Sequence, residues 1–141
     1  MIENGTSITV KLKPVSTGTF KPIAGEVSHD CNVSRALRDT TVKASAGWKQ
    51  NEYGLGEADI SVEAKFDADA LTANFFTFND LVDALLNKTK LSVEVSDGVT
   101  GHRKVAGTVL VESVPLSAPM EDNATYTVSL KFDGAPTIST I

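Results

Sequence analysis

Hydrophobic and polar residues alternate along several short runs of this chain, the pattern of strands buried on one face. Ile8, Val10 and Leu12 face one way, and Ser7, Thr9, Lys11 and Lys13 the other. Pro14 and Gly18 end that run. A second begins near Phe20 and covers Ala24 to Ser34, with Val27, His29, Cys31 and Val33 on a common face. A third sets Ile60, Val62, Ala64 and Phe66 against Asp59, Ser61, Glu63 and Lys65. Three more follow: Leu91, Val93, Val95; then Val105, Gly107, Val109, Val111; then Tyr126, Val128, Leu130, Phe132. Asp97-Gly98, after the first of these, is a hairpin-turn signal.

Two segments break the alternation. Between Asp67 and Lys88, Leu81, Val82, Leu85 and Leu86 recur at helical spacing, and Phe78 extends that face. Thr77 or Asn79 can cap the start, and Asp80 and Asp83 lie where the helix dipole favours anions. A shorter turn is expected before it, around Asp69 to Phe76. The other break, Arg38 to Gly56, is polar and turn-rich yet carries the sole Trp, Trp48, and one of the two Tyr, Tyr53. Unpatterned segments of this length are uncommon inside compact domains and are usually functional or disordered. About six strands and one helix predict a mainly β fold, a sandwich or barrel with one flanking α-helix.

Composition agrees with that reading. The 15 Val and 15 Thr among 141 residues suit pleated strands. A net charge of −5 argues against a nucleic-acid binder, which normally shows a basic footprint. The acid is concentrated: Glu57 to Asp83 holds seven carboxylates and one cation, Lys65. One Cys excludes an internal disulfide framework. No apolar run approaches a membrane span, and the first residues carry neither a basic cap nor an apolar stretch. The four N-x-S/T triplets, at Asn4, Asn32, Asn87 and Asn123, read as chance in a Ser/Thr-rich chain.

Catalytic chemistry is missing. His29 and Cys31 are two apart on one strand face, but no third group orients them as a nucleophile and base. His29 reads as a hydrogen-bonded core or interface residue, and His102 as solvated. The carboxylates Asp59, Glu63, Asp67, Asp69, Asp80 and Asp83 lack calcium-loop order. No enzyme activity, cofactor or metal is expected.

Ala24-Gly25-Glu26-Val27-Ser28, Asn32-Val33-Ser34, Asp39-Thr40-Thr41 and Lys43-Ala44-Ser45-Ala46-Gly47-Trp48, with the strand Ala58 to Ala64 after them, resemble the first half of major tail tube proteins of long-tailed bacteriophages and prophages. The resemblance implies one tail-tube-like β domain over 1–134, with a long loop at 38–56 and a C-terminal tail at 135–141. It implies hexameric rings stacked into a hollow virion tube, assembled in the bacterial host cytoplasm. Partners would be further copies of the chain, a tape-measure protein, and tail completion or tip proteins. DNA would pass without specific binding, and no membrane would be involved. The loop would contact the neighbouring subunit or ring through Asp39, Lys43, Trp48, Tyr53 and Leu55. Asp59, Glu63 and Glu94, on polar strand faces, are candidate lumen-facing residues; an acidic lumen would repel phosphate. Two other readings compete: a tube protein of a type VI-like secretion or injection machine, and a monomeric β-sandwich binding module.

Overall fold

The computed structural model describes every residue except 1, 3, 16, 17 and 68–73. Among the described residues nine strands make one antiparallel sheet: β1 (Thr9–Pro14), β2 (Lys21–Pro22), β3 (Glu26–Asp39), β4 (Asn51–Lys65), β5 (Leu91–Ser96), β6 (Arg103–Ser113), β7 (Leu116–Ser117), β8 (Thr125–Phe132) and β9 (Thr137–Thr140). The helix α1 spans Phe78–Leu86. The strand order is β2-β1-β5-β6-β8-β4-β3, with β7 on β8 and β9 on β6. The sheet curls until its ends approach: the Val10 N–H of β1 donates to Glu26 Oε2 at the start of β3, at 3.3 Å.

The alternating residues fill the interior of this curl. Val10, Leu12, Ile60, Val62, Leu91, Val93, Val109, Val128 and Leu130 are all buried there. Each such side chain contributes roughly 1.5–3 kcal/mol by leaving water. The helix closes the core with Leu81 and Ala84, and Phe76 packs before it. Thr77 is its cap: its side chain accepts from the Asp80 N–H while Asp80 reaches back to the Thr77 N–H. The helical face on the core is Leu81 and Ala84 with Phe78 half-buried beside them; of the residues expected from spacing, Leu85 and Leu86 are exposed instead. The small Ala84 lets the helix approach the sheet. The first part of the expected turn at Asp69 to Phe76 lies outside the described residues.

Tyr126 is buried, and its hydroxyl donates to the Ala24 carbonyl at 2.5 Å. Burial, with the nearby Glu26 carboxylate, pushes its pKa up to about 12. Gly25, between that carbonyl and β3, has φ +74°, and a Cβ there would stand 2.2 Å from the Lys65 carbonyl oxygen.

Two expectations are corrected. The segment 38–56 is not one loop: β3 continues through Asp39 and β4 begins at Asn51, so only 40–50 connects them. Period-two patterning marks strands with one buried face, and this part of the ladder has none. Nor is 135–141 a free tail, because Thr137–Thr140 pairs with Arg103–Ala106 of β6. Four residues are too few to register as alternation.

Candidate assembly surface

β3 and β4 form an antiparallel hairpin much longer than the core beneath it. The register runs from Glu26↔Ala64 to Asp39↔Asn51, with irregularities at Glu26/Ser28 and Arg35/Leu37. On its other edge β4 pairs with β8 only from Lys65 to Asp59. Beyond Asp59 the hairpin is a two-stranded ribbon, a form of marginal stability in water by itself.

Local contacts hold the ribbon's shape. Arg38 pairs with Glu52 at 3.0 Å across it. The Arg35 guanidinium donates to the Gly54 carbonyl at 3.2 Å and lies over Gly56, 3.3 Å from where a Cβ would stand. At the tip, Asp39 Oδ1 accepts from the Thr41 N–H at 2.8 Å, and Thr41 holds its carboxyl below the usual range. Thr40 N donates to the Gln50 carbonyl, and Gln50 N to Thr41 Oγ1, both at 2.9 Å.

This ribbon presents apolar groups to water. Trp48 is 78% exposed, Tyr53 77% and Leu55 90%; Val33, Leu37 and Val42 are also exposed. Val33 and Leu37 share parity with His29 and Cys31, whose β4 partners Val62 and Ile60 are buried. The apolar side of the strand therefore runs off the end of the core into solvent. Of the expected contact residues, Tyr53 lies opposite Leu37 on this side, Leu55 alternates with Glu57 on β4, and Trp48 stands in the connection between the strands; all three are exposed. Lys43 sits exposed in a single 3-10 turn, and Asp39 is occupied in capping the tip. Val33 falls on the strand face that the spacing turns to the core, and Leu37 lies past the patterned run, which ends at Ser34; the signal that marks both is strand length, since 14 residues outrun the usual five or six.

The register brings Asp59, Glu63 and Glu94 to one face, the one turned away from the core. Asp59 lies opposite Lys131, Glu63 opposite Ser28 and Thr127, and Glu94 opposite Lys11. Lys104 Nζ also stands 4.0 Å from Glu94. Asp30 and Glu57 share this face on the β3–β4 side, and Lys13 on the β1 side. Serines and threonines fill much of the rest.

Among the described residues the two histidines and the cysteine stand apart from any nucleophile–base pair. His29 Nδ1 lies 2.7 Å from Glu26 Oε1, both largely buried. Burial and the Asp59 carboxylate push the Cys31 thiol up, away from the reactive thiolate. His102 Nδ1 hydrogen-bonds Asp97 at 2.5 Å; that bond, with the Val99 N–H, holds the Asp97 carboxyl low. Among the described residues no three His, Cys, Asp or Glu side chains converge as metal ligands. No described helix is long and apolar enough to cross a membrane.

The chain is thus a curled antiparallel sheet with one helix and a projecting, apolar-tipped hairpin. Residues 3–138 match the phage tail tube protein family model, and the chain belongs to that family. Solved structures share the fold. A chain from the tail of an empty gene transfer agent particle, refined with sixfold helical symmetry, has a TM-score of 0.82 at 21% identity, covering 99% of this chain and 100% of that one. The SPP1 tail tube has a TM-score of 0.78 at 13% identity, covering 98% and 79%. A chain of the anti-feeding prophage baseplate has a TM-score of 0.65 at 7% identity, covering 94% and 92%. No curated protein matches.

Proposed function

We propose that this chain builds the wall of a hollow phage tail tube by assembling into hexameric rings that stack. The observation that carries this reading is the β3–β4 hairpin, a two-stranded ribbon tipped with exposed Trp48, Tyr53 and Leu55. Covering these groups with a neighbouring subunit or ring removes apolar surface from water and supports an otherwise marginal ribbon. Head-to-tail contact of this kind repeats without closing along the tube axis, giving a filament.

The polar sheet face carrying Asp59, Glu63 and Glu94 lines the lumen. It offers an acidic band on β3–β4, including Asp30 and Glu57, at one end of the sheet and a lysine-bearing region on β1 at the other. Short hydroxyl side chains and balanced charge give a phosphate backbone little to hold, so DNA passes without specific binding. A tape-measure protein would occupy the lumen during assembly in the bacterial cytoplasm, and completion and tip proteins would cap the ends. Family membership favours this tube over an injection-machine tube or a monomeric binding module.

Negative-stain microscopy across a concentration series tests the reading. Rings or tubes with walls about one domain thick are expected; a dispersed monomer at every concentration and salt would overturn it.

A further inference from the structure

The two ends of the sheet carry opposite charge. Its β4–β3 end, residues 51–65 and 26–39, holds seven carboxylates against three cations. Its β2–β1 end, with the flanking chain from Asn4 to Gly25, holds Lys11, Lys13 and Lys21 and no carboxylate. Part of the acid is used internally: Glu26 faces His29, Glu52 pairs with Arg38, and Asp39 caps Thr41. Asp30, Glu57 and Glu63 are exposed and have no ion-pair partner among the described residues. They lie on the same sheet face as Lys11 and Lys13.

Strand edges differ in the same direction. β3 ends the sheet with 14 residues and no proline, whereas β2 is only Lys21–Pro22. A two-residue edge with a lysine and a proline cannot extend a hydrogen-bonded ladder; it is the form in which natural sheets block strand addition. Whatever meets this end must be recognised by side chains, and those on the face shared with the acidic end include Lys11 and Lys13.

We infer that, within the ring proposed above, neighbours are matched by charge: the acidic β4–β3 end of one copy seats beside the lysine-bearing β1 of the next. Asp30, on the edge strand, faces Lys11 and Lys13 of the adjacent copy, with Glu63 one strand behind it on the same face. Two copies meeting acid end to acid end repel, so the arrangement selects head-to-tail order around the ring. The inference rests on the tube reading, and its test separates the two.

Ring formation is measured by mass photometry for four proteins: wild type, Asp30→Lys/Glu63→Lys, Lys11→Glu/Lys13→Glu, and the chain carrying all four changes. Circular dichroism and urea melts confirm that each is folded. Lys11→Glu/Lys13→Glu leaves two acidic ends, and Asp30→Lys/Glu63→Lys cancels the acidic end's excess and sets lysines opposite lysines; for each the ring threshold is expected to rise about tenfold or more. Mixing the two double variants pairs unlike ends again and restores rings, as does the fourfold swap. Raising salt from about 50 to about 500 mM is expected to weaken wild-type rings, by screening. Wild-type rings that ignore salt, with reversals that leave the threshold unchanged or are not rescued by mixing, would overturn the inference and leave the tube standing. Absence of wild-type rings under every condition would instead overturn the tube.

Discussion

Trp48→Ala separates folding from assembly more cleanly than any other single change. Trp48 is 78% exposed at the hairpin tip, so its removal leaves the monomer's stability within about 0.5 kcal/mol. Assembly is another matter. A tryptophan offers roughly 150–250 Å² of area for burial, and most of it is available here. If a neighbour covers about 150 Å², transfer at ~25 cal/mol per Å² is worth about 4 kcal/mol. Ordering the tip and its surroundings offsets some of that, leaving about 2–3 kcal/mol, the range of an interface hot spot. The concentration needed for assembly then rises roughly 30- to 150-fold. A dilution series read by sedimentation, beside urea melts of the dispersed protein, measures both quantities. Tyr53→Ala is expected to act in the same direction with smaller effect. An unchanged threshold, or a loss of monomer stability as large as the loss of assembly, would refute the reasoning by showing that Trp48 serves its own fold.

Three further outcomes follow from the core and its clasps. Tyr126→Phe orphans the buried Ala24 carbonyl and is expected to cost about 1–3 kcal/mol in urea melts at pH 7. Because folding raises the Tyr126 pKa to about 12, its contribution is complete below pH 10 and lost as pH climbs through 12; the variant should lack that alkaline decline. Gly25→Ala forces both a positive φ and a clash with Lys65 and is expected to lower stability by about 2 kcal/mol or more, seen as a fallen thermal midpoint. Asp97→Asn is tested by acid titration: the Asp97 carboxyl is held low by His102, so its contribution persists above its unfolded pKa and fades as pH falls through the folded one. The variant should show a shallower acid slope.

How much of this was legible depended on burial. β5 appears in the sequence at its true bounds, Leu91–Ser96, because it lies between β1 and β6 with one face in the core. β3 and β4 were legible only where they cover the core; past Asp59 nothing is buried and alternation no longer reports structure. β9 was invisible for a related reason, since its pairing comes from β6 and not from a hydrophobic face of its own. At the candidate site, Trp48, Tyr53 and Leu55 stood out as apolar residues in polar surroundings. Val33 did not, because strand parity assigns it to a core that ends before reaching it, and Leu37 did not, because it lies past the patterned run that ends at Ser34. The common face of Asp59 and Glu63 follows from their spacing. That Lys131 stands opposite Asp59, and Lys11 opposite Glu94, requires cross-strand register, which spacing within one strand does not contain.

The hairpin departs from the rules for a stable monomer in three ways at once. It is two-stranded, it exposes aromatic and aliphatic side chains, and it ends the sheet on a long unblocked edge. The opposite end obeys those rules, finishing on a short lysine-proline strand. Real proteins keep such departures where function needs them. An asymmetric pair of ends also constrains how copies can meet. A twofold dimer would set β3 against β3, bringing Asp30 and its neighbours together with their like charges. Head-to-tail order would instead set the acidic end and its exposed hairpin against an unlike surface of the next copy, the same pair of patches at every contact. The net charge of −5 is thus less a property of the whole surface than of one end of the sheet.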